Sequence, residues 1–488
     1  MNENILKLKP TGVWTYFKEI LEVPRASKKE EKIIAYLENF AKRNGFEYKK
    51  DAIGNILIKG KATPGCENRK TVILQSHVDM VCEKNSDSKH NFDKDPIEAV
   101  IKGDWLHAKD TTLGADDGIG VATSLALLMD KTIEHGPIEC LFTVDEETGL
   151  TGANNLKPDF LEGRILLNLD SEDEGEIFIG CAGGKDTVIK LYHQTIEAPK
   201  TGFDTYEITI KGLKGGHSGD DINKGLANAN KLINRILWKV SSDFEMLLAD
   251  IQGGNLRNAI AREAKALVLI PTAKATDFEN FIKQMEKDFR NEYAVTEPNL
   301  EAKAIKSTEK VSKILSNNDQ TKLLESLYAC PHGVIAMSQT IPNFVETSTN
   351  LASVKKLNDH ILITTSQRSS IESSKDDVAN MVASCFALAG AETEHTDGYP
   401  GWTPNPNSEI LSISEKCYEK LFGKKPATKA IHAGLECGLI GHTYPDMDMI
   451  SYGPTLRGVH SPDERIEIST VQKFWDFTIE ILKNVPEK

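Results

Sequence analysis

Cysteine is scarce in this sequence, which has eight cysteines among 488 residues and no C-x-x-C pair. A scaffold held together by disulfide bonds is therefore not expected. No apolar run approaches the roughly 20 residues that a membrane-spanning helix needs, and the first residues lack the charged and apolar segments of a secretory signal. These absences predict a protein without a membrane partner, located in the cytoplasm.

Positive charge is also in deficit, because 58 Lys and Arg residues face 72 Asp and Glu residues and leave a formal net charge of -14. This balance argues against a protein that binds the phosphate backbone of nucleic acids or an anionic membrane. It fits a protein that gathers carboxylates around divalent cations. With 40% hydrophobic residues, the chain can also bury a sizeable core.

The order of predicted elements divides the chain. Within 1–186, short apolar segments that end in polar or acidic residues alternate with helical patterns, which predicts α/β layers around a mainly parallel sheet. Over 187–399 the order of strands and helices changes and indicates a separate α+β domain. The Pro-, Gly- and Asn-rich stretch 398–407 is typical of a boundary. We therefore predict one α/β domain, formed by 1–186 and 400–488, with an inserted α+β domain.

The motif TVILQSHVDMV places His77 and Asp79 two positions apart at the end of an apolar strand. Side chains two positions apart on a strand point to the same face, and a neighbouring carboxylate can fix the orientation of a metal-binding imidazole. The pair therefore indicates a metal ligand with its orienting carboxylate. On this motif alone, an ordinary surface pair at a strand end remains an alternative.

Two aspartates, Asp116 and Asp117, lie in the glycine-flanked turn TTLGADDGIGVA at the start of a helical pattern. A phosphate-binding loop is not expected, because no lysine follows as in a Walker motif and two carboxylates would repel phosphate. A carboxylate at this place can cap the helix or bridge two cations. The motif alone leaves both roles open.

Acidic residues also follow two further apolar strands, in LFTVDEETG and ILLNLDSE. Consecutive residues of an extended segment point in opposite directions, so Glu146 and Glu147 can have different roles, one binding a metal ion and the other transferring a proton. Asp170 directly follows the second strand. Acids at the end of a buried strand need cations or donors to neutralise them, and a solvated acidic loop is the alternative.

His460 lies in the loop GPTLRGVHSPDE near the C-terminus and gains significance only from the other motifs. The carboxyl ends of parallel strands form a common crevice in open α/β sheets, which would bring these groups together. Two histidines and several carboxylates without cysteine suit Zn, Mn or Co. Two cations that share a carboxylate are a usual means of activating water against an amide carbonyl.

Seven motifs span nearly the whole chain, in the order HVDMV, LGADDGIG, DEETGLTGA, NLDSEDEGEIFIGCAGG, KGGHSGDDI, HAGLECG and GPTLRGVHSPDE. Together they resemble the metallopeptidase family M20, which includes zinc-dependent dipeptidases and deacylases. The sequence is most similar to the branch of aminoacyl-histidine dipeptidases, which cleave unblocked Xaa-His or β-Ala-His dipeptides such as carnosine. The resemblance implies a catalytic domain of zinc-peptidase type, and the inserted α+β domain would be its lid.

The resemblance also implies roles for the residues of these motifs. Two divalent cations are expected, with Zn first and Mn or Co as alternatives. One cation would be held by His77, Asp116 and Asp170, and the other by Asp116, Glu147 and His460, so that Asp116 bridges them. Asp79 would orient His77, Glu146 would be the general base, and the peptide bond after Asp116 would be cis.

Further implied residues belong to the lid and to HAGLECG. His217 resembles the lid histidine that polarises the scissile carbonyl, which comes from the neighbouring subunit in dimeric members; a homodimer through the lid is therefore an expectation. Without the resemblance, His217 would be read as an exposed residue of a glycine turn. The substrate carboxylate would meet Asn258, Arg262 or Arg368, and for the two arginines ordinary surface ion pairs are the alternative. The free amino group would meet His432 and Glu436.

These observations predict a cytoplasmic two-metal dipeptidase that hydrolyses unblocked dipeptides of the Xaa-His or β-Ala-His type. Another amidohydrolase of the same family, such as an N-acyl amino acid deacylase or a tripeptidase, remains an alternative, as does a non-catalytic relative. A nucleotide-dependent enzyme is not expected, because the sequence has neither a Walker lysine nor a G-x-G-x-x-G motif.

Overall fold

The computed structural model describes residues 2–488, which form two compact units. Unit 1 contains the chain up to Gly180 together with Pro404–Ala430 and Leu435–Lys488, and unit 2 contains Cys181–Thr403 and Ile431–Gly434. Among the described helices, none is long and apolar enough to span a bilayer. The domain bounds expected from the sequence, after 186 and after 399, stay predictions.

The first part of the chain, in unit 1, contains five α-helices and eight strands after a short 3-10 helix at Glu3–Lys7. They are α1 (Thr11–Leu21), α2 (Glu31–Asn44), β1 (Glu47–Lys50), β2 (Ile56–Gly60), β3 (Val72–His77), β4 (Ala99–Lys102), β5 (Trp105–Ala108), α3 (Ala115–Met129), β6 (Ile138–Thr143), α4 (Glu146–Gly149), α5 (Thr151–Asn154), β7 (Ile165–Asn168) and β8 (Glu176–Cys181).

The middle part of the chain, in unit 2, contains thirteen strands and four α-helices, with a 3-10 turn at Thr272–Lys274. They are β9 (Gly183–Tyr192), β10 (Thr195–Glu197), β11 (Phe203–Lys211), β12 (Gly216–His217), α6 (Ala229–Asp243), β13 (Leu247–Gly253), β14 (Ala259–Ile260), β15 (Ala264–Pro271), α7 (Ala275–Glu292), β16 (Glu301–Lys306), β17 (Lys313–Leu315), α8 (Asn317–Ala329), β18 (Gly333–Met337), β19 (Val345–Lys356), β20 (His360–Ser369), α9 (Glu372–Ala387) and β21 (Glu392–His395).

The last part of the chain returns to unit 1, apart from residues 431–434. Its elements are α10 (Glu409–Phe422), β22 (Ala427–Ile431), α11 (Glu436–Thr443), β23 (Asp448–Ser451), β24 (Leu456–Arg457), β25 (Arg465–Glu467) and α12 (Ile468–Asn484).

Unit 1 is built around an eight-stranded sheet in the order β1-β2-β6-β3-β7-β23-β8-β22. Its four central strands, β6, β3, β7 and β23, are parallel, whereas β1 pairs antiparallel with β2, β2 with β6, and β8 with β23. Strand β3 is buried along its whole length, as expected for a central strand of a parallel sheet that is covered on both faces. The predicted α/β class is confirmed, and the four central strands show the predicted parallel pairing.

Helix α2 shows how local sequence determines an element of unit 1. Its residues Ile33, Leu37 and Phe40 recur at helical spacing and are all buried. The helix ends before Gly45, whose φ of 72° is a conformation that glycine adopts without steric cost. The helix contacts β1 and β2, so it covers one edge of the sheet.

Unit 2 contains a nine-stranded sheet in the order β16-β11-β15-β13-β19-β20-β9-β21, with β18 paired to β19. The pairs are antiparallel. Helices α6 and α7 contact β11, β15 and β16 and enclose a core that includes Tyr206, Leu237, Phe278 and Phe289. This arrangement is the α+β architecture that the sequence predicts for the insert.

Candidate active site

The parallel strands of unit 1 bring the predicted acidic residues to one edge of the sheet. His77, the last residue of β3, lies in register with Thr143 at the end of β6, and Gln75 lies in register with Asn168 at the end of β7. The residues that follow these strand ends are therefore neighbours. The predicted convergence of the strand-end motifs agrees with this register.

Asp116 stands between two histidines. Its Oδ1 lies 3.0 Å from Nε2 of His77, and its Oδ2 lies 3.1 Å from Nε2 of His460. The peptide bond between Asp116 and Asp117 is cis, as the resemblance implied. Each carboxylate oxygen of Asp116 thus faces a different histidine, which is the arrangement that a carboxylate shared by two cations requires.

The first potential metal site consists of His77, Asp116 and Asp170, whose ligand atoms lie within 4.8 Å of one another. Nε2 of His77 is 3.4 Å from Oδ1 of Asp170, and Nδ1 of the same ring is 3.4 Å from Oδ1 of Asp79. The ring of His77 is thus flanked by Asp79 on the side away from the ligand group, as an orienting carboxylate would be.

Asp79 is fully buried and accepts three hydrogen bonds besides its contact with His77. They come from the backbone N–H groups of Glu146 and Glu147, at 3.0 and 3.2 Å, and from the hydroxyl of Ser27, at 2.8 Å. Burial alone would raise the pKa of Asp79, but His77 and these donors outweigh it and hold the pKa at about 2. Asp79 therefore links the β3 end to the segment that carries the two glutamates.

The second potential metal site consists of Asp116, Glu147 and His460. Nε2 of His460 lies 2.9 Å from Oε2 of Glu147. The two histidines and three carboxylates of the two sites include no sulfur, a donor set that suits Zn, Mn or Co. All five predicted ligands are therefore brought together within unit 1, and their placement fits two divalent cations that share Asp116.

These carboxylates are buried and lie close to one another, and both conditions shift their pKa values. Burial raises the pKa of Asp170 to about 8 and that of Glu146 well above its usual range. Burial would also raise the pKa of Asp116, but hydrogen bonds to His460 and His77 outweigh it and lower the value. A divalent cation among these groups would favour their ionised forms. The ionised carboxylates would in turn bind the cation by charge attraction.

Glu146 and Glu147 begin the short helix α4 rather than an extended segment, so the sequence-based reason for their different directions is wrong. Their N–H groups both point to Asp79, because the first N–H groups of a helix lack partners within it. Ligand atoms of His77, Glu146 and Glu147 form a third group within 4.8 Å. Glu146 thus adjoins both metal sites without belonging to either of the two ligand sets described above.

Glu436 lies in unit 1, fully buried beside strands β3 and β6. Its Oε2 accepts hydrogen bonds from Nε2 of Gln75, at 2.6 Å, and from the hydroxyl of Thr143, at 2.7 Å. Its Oε1 has no hydrogen-bond partner among residues 2–488. Burial raises the pKa of Glu436 to about 7, although His77 opposes this shift.

Unit 2 gathers a second group of predicted residues around Arg368, a buried residue of β20. Nη2 of Arg368 lies 3.4 Å from Nε2 of His217, and its Nη1 donates a hydrogen bond to the hydroxyl of Tyr399, at 3.0 Å. Its Nε donates to the hydroxyl of Ser218, at 3.4 Å. The predicted histidine and one predicted arginine are therefore adjacent.

His432 belongs to the same group in unit 2. Its Nε2 lies 2.7 Å from the hydroxyl of Ser348, and Ser348 pairs with Arg368 across strands β19 and β20. Burial and the charge of Arg368 lower the pKa of His432 to about 3. His432 belongs to unit 2 and Glu436 to unit 1, and their expected common role toward the free amino group of the substrate stays a prediction.

The other two predicted lid residues are less closely involved. The backbone carbonyl of Asn258 accepts a hydrogen bond from the N–H of Ser218, at 2.8 Å, which places Asn258 beside His217. Arg262 has an exposed side chain and takes part in none of the hydrogen bonds that surround Arg368.

Sequence reasoning missed several residues of these sites. Tyr399 lies in the Pro- and Gly-rich stretch that was interpreted only as a boundary, and Ser348 lies inside a strand with no recognisable motif. Arg25 and Glu464 contact the turn that carries Asp116, and neither has a predicted role. Of these residues, only Glu464 could have been found from the sequence, because it follows His460 by four residues within the motif GPTLRGVHSPDE.

Known proteins resemble this chain along its whole length. The cytosol non-specific dipeptidase of Escherichia coli (strain K12) is 44% identical over 482 residues, which cover 99% of each chain. The crystal structure of aminoacylhistidine dipeptidase from Vibrio alginolyticus superposes with a TM-score of 0.93 at 43% identity, over 99% of this chain and 98% of that one. Aminopeptidase PepT from Bacillus cereus, with a TM-score of 0.58 and 17% identity, shares the fold.

The family profile described as Peptidase family M20/M25/M40 matches residues 73–484. The match covers the strand-end motifs, the insert and the loop of His460. The family is one of metallopeptidases, so the use of divalent metal by this chain agrees with the donor set found in unit 1. The chain therefore belongs to peptidase family M20.

Proposed function

We propose that this chain is a dipeptidase that uses two divalent cations, with Zn first and Mn or Co as alternatives, to hydrolyse unblocked dipeptides. The names of the two relatives above 40% identity support the activity, since both are called dipeptidases. The single observation that carries the proposal is the placement of Asp116, whose two oxygens face His77 and His460 at 3.0 and 3.1 Å.

In this proposal, His77 and Asp170 would hold one cation, Glu147 and His460 would hold the other, and Asp116 would contribute to both. The cations would supply Lewis acidity toward water and toward the scissile carbonyl. Glu146 accepts a proton from the attacking water and returns it to the leaving amine. The position of Glu146 supports this role, because it lies within 4.8 Å of ligand atoms of His77 and Glu147 and belongs to neither of the two ligand sets.

We propose that unit 2 is the lid and supplies residues that meet the substrate. His217 donates a hydrogen bond to the developing oxyanion, and Arg368 grips the dipeptide carboxylate with its planar fork. The network of Ser218 and Tyr399 around Arg368 supports its choice over the exposed Arg262, because a guanidinium that is already oriented loses less freedom on binding. Asn258 and His432 assist through their positions beside His217 and Arg368.

The free amino group of the substrate is proposed to meet Glu436. Support comes from its buried Oε1, which lacks a donor among the described residues. An ammonium group would supply that donor, whereas the amide of an N-acyl amino acid would bring no charge. This difference favours a dipeptidase over a deacylase. Because one relative is named non-specific, we propose the Xaa-His preference as part of a broader dipeptide range.

A homodimer through unit 2 and a cytoplasmic location are also proposed. The edge strand β18 supports the dimer, because Val334, Ile335 and Met337 are 37 to 46% exposed and one side of the strand is unpaired in the sheet. An exposed apolar edge of this kind favours pairing with a second chain.

The test of the proposed function is a set of four substrates offered to metal-depleted protein before and after addition of Zn, Mn or Co. Hydrolysis of an Xaa-His dipeptide and of β-Ala-His is expected only with metal. The N-acetylated Xaa-His dipeptide and a tripeptide should be cleaved far more slowly. Preferred cleavage of the acetylated compound or the tripeptide would assign the chain to the alternatives, and bound metal without any cleavage would make it a non-catalytic relative.

A further inference from the structure

A buried carboxylate outside the ligand set holds the turn that carries Asp116. Glu464 precedes β25, and its side chain is 2% exposed. Its Oε2 accepts hydrogen bonds from the N–H groups of Leu113, at 2.6 Å, and Gly114, at 2.9 Å. Its Oε1 accepts from the N–H groups of Ala115, at 2.7 Å, and Asp116, at 3.4 Å. One side chain thus serves four consecutive backbone donors.

Arg25 holds the same turn from the other side. It is 2% exposed and donates hydrogen bonds to the carbonyls of Val78, at 3.0 Å, and Asp79, at 2.8 Å, and to the carbonyl of Gly114. These contacts connect the end of β3, which carries the first histidine ligand, to the turn that carries the shared aspartate.

Two of the three glycines of LGADDGIG are explained by this arrangement. A Cβ on Gly114 would lie 2.5 Å from Nη2 of Arg25, and a Cβ on Gly118 would lie 2.6 Å from the same atom. Gly114 also has a φ of 71°, which a residue with a side chain rarely adopts. The motif is therefore shaped to admit a guanidinium rather than a phosphate.

Both oxygens of Glu464 are occupied by backbone donors, and Glu464 belongs to none of the groups whose atoms could surround a cation. It also follows His460 by only four residues, so the loop of the second histidine and the turn of Asp116 are joined through it. These contacts exclude Glu464 as a metal ligand. Glu464 can act on the site only by positioning Asp116 and His460.

We infer that Glu464 and Arg25 are positioning residues that hold the Asp116 turn, the β3 end and the His460 loop in the one arrangement that binds two cations. Glu464 aligns Asp116 with His460, and Arg25 aligns Asp116 with His77. This inference rests on the metal-binding part of the proposed function and deepens it, since it assigns the pre-organisation of the site to two residues that touch neither metal nor substrate.

The test measures cation binding directly, by calorimetric titration of metal-depleted protein and by the absorption spectrum of bound Co. Glu464→Gln keeps the size of the side chain but turns one acceptor into a donor that faces two N–H groups. We expect it to weaken binding of at least one cation tenfold or more and to change the Co spectrum. Glu467→Gln removes a charge three residues away, on a side chain that contacts none of these groups, and should bind both cations as the wild type does.

Arg25→Lys provides an independent second variant, because a single ammonium cannot reach three carbonyls that a guanidinium spans. It too should weaken cation binding at least tenfold, and it carries the test if Glu464→Gln does not fold. Wild-type affinity and an unchanged Co spectrum in a folded variant of either residue would overturn its positioning role. A wild-type protein that binds two cations but cleaves no dipeptide would instead overturn the proposed function and leave this inference standing.

Discussion

At the scale of single residues, the adjacent residues Glu146 and Glu147 have different proposed roles. Oε2 of Glu147 lies 2.9 Å from Nε2 of His460. Glu146 instead lies within 4.8 Å of His77. Asp79 holds both residues by their N–H groups, so the direction of each side chain is determined by the start of helix α4. A base and a metal ligand can therefore be adjacent in the chain.

Glu146→Gln is predicted to retain both cations and to lower kcat by about 10²- to 10⁴-fold, because it removes the proton acceptor but none of the five proposed ligands. Turnover of a dipeptide and the metal content of the purified protein measure the two effects. Glu176→Gln, which removes a partly exposed ion-pair acid in the same unit, serves as the control and should keep its turnover. Unchanged turnover in Glu146→Gln would refute its role as the base.

At the scale of elements, His332 joins three parts of unit 2. Its Nδ1 lies 3.3 Å from the N–H of Leu351 in β19 and 3.4 Å from Nδ2 of Asn228, the residue that caps helix α6. The segment of His332 itself connects helix α8 to strand β18. Burial, with a smaller effect of the nearby Lys231, lowers the pKa of His332 to about 4. The ring is therefore neutral in the folded protein and accepts from the N–H of Leu351.

This shift predicts that acid destabilises unit 2 through His332. In the unfolded chain the pKa of a histidine is about 6.5, so the unfolded state takes up a proton between pH 6.5 and pH 4 while the folded state does not. The free energy of unfolding should fall over this window by at most about 3 kcal/mol, at about 1.4 kcal/mol per pKa unit. Above pH 7 no effect of His332 is expected.

His332→Asn tests this prediction, because the asparagine oxygen can replace Nδ1 as the acceptor but does not titrate. Hydrogen exchange of amides in β19 and α6, measured from pH 7 to pH 4.5 and corrected for intrinsic rates, reports the local stability. The wild-type protein should lose stability relative to His332→Asn as the pH falls. His442→Asn, at an exposed histidine, is the matched control. If the stability of His332→Asn fell with pH as much as that of the wild type, the effect would belong to other groups.

At the scale of the whole molecule, both units bury an apolar core, but only unit 1 contains proposed metal ligands. All five proposed metal ligands belong to unit 1, whereas the sheet of unit 2 is supported by an apolar core between its strands and helices. Cations that bind the folded state alone add to its stability by mass action. The two units should therefore respond differently to a chelator.

Chelation is predicted to lower the free energy of unfolding of unit 1 by about 4 kcal/mol for each cation that was present at 1,000 times its Kd, and to leave unit 2 unchanged. Hydrogen exchange of β3, β6 and β7, compared with β11 and β15, measures the two responses in one sample. Asp116→Asn, which lacks the shared ligand, should show little further change with chelator. An equal loss in both units would contradict the assignment of the ligands to unit 1 alone.

The proposed dimer also belongs to this scale. Ile335→Lys places a charge on the exposed edge strand β18 and should convert a dimer to a monomer in sedimentation experiments, because charge on an edge opposes strand pairing. Val295→Lys, a change at a residue that is 90% exposed and outside β18, is the control and should leave the assembly unchanged. A wild-type protein that sediments as a monomer would contradict the proposed dimer.

Part of this site could be predicted from the sequence because its chemistry is carried by local motifs. His77 and Asp79 follow an apolar strand, Asp170 follows another, and the glycine-flanked Asp116 begins a helix; strand periodicity and turn chemistry place each of them without knowledge of the rest. The α/β order of unit 1 and the α+β order of unit 2 are likewise consequences of local patterns.

The contacts between distant segments were decided by the tertiary structure. The register of β3 with β6 and β7, the four N–H groups that converge on Glu464, and the adjacency of Arg368 to His217 and Tyr399 join positions far apart in sequence. No local pattern encodes such pairings, because they form only when packing brings the buried donors and acceptors together and each must then find a partner. For this reason the motifs and the family resemblance predicted the candidate ligands, whereas only the folded chain shows which distant residues contact the turn that carries Asp116.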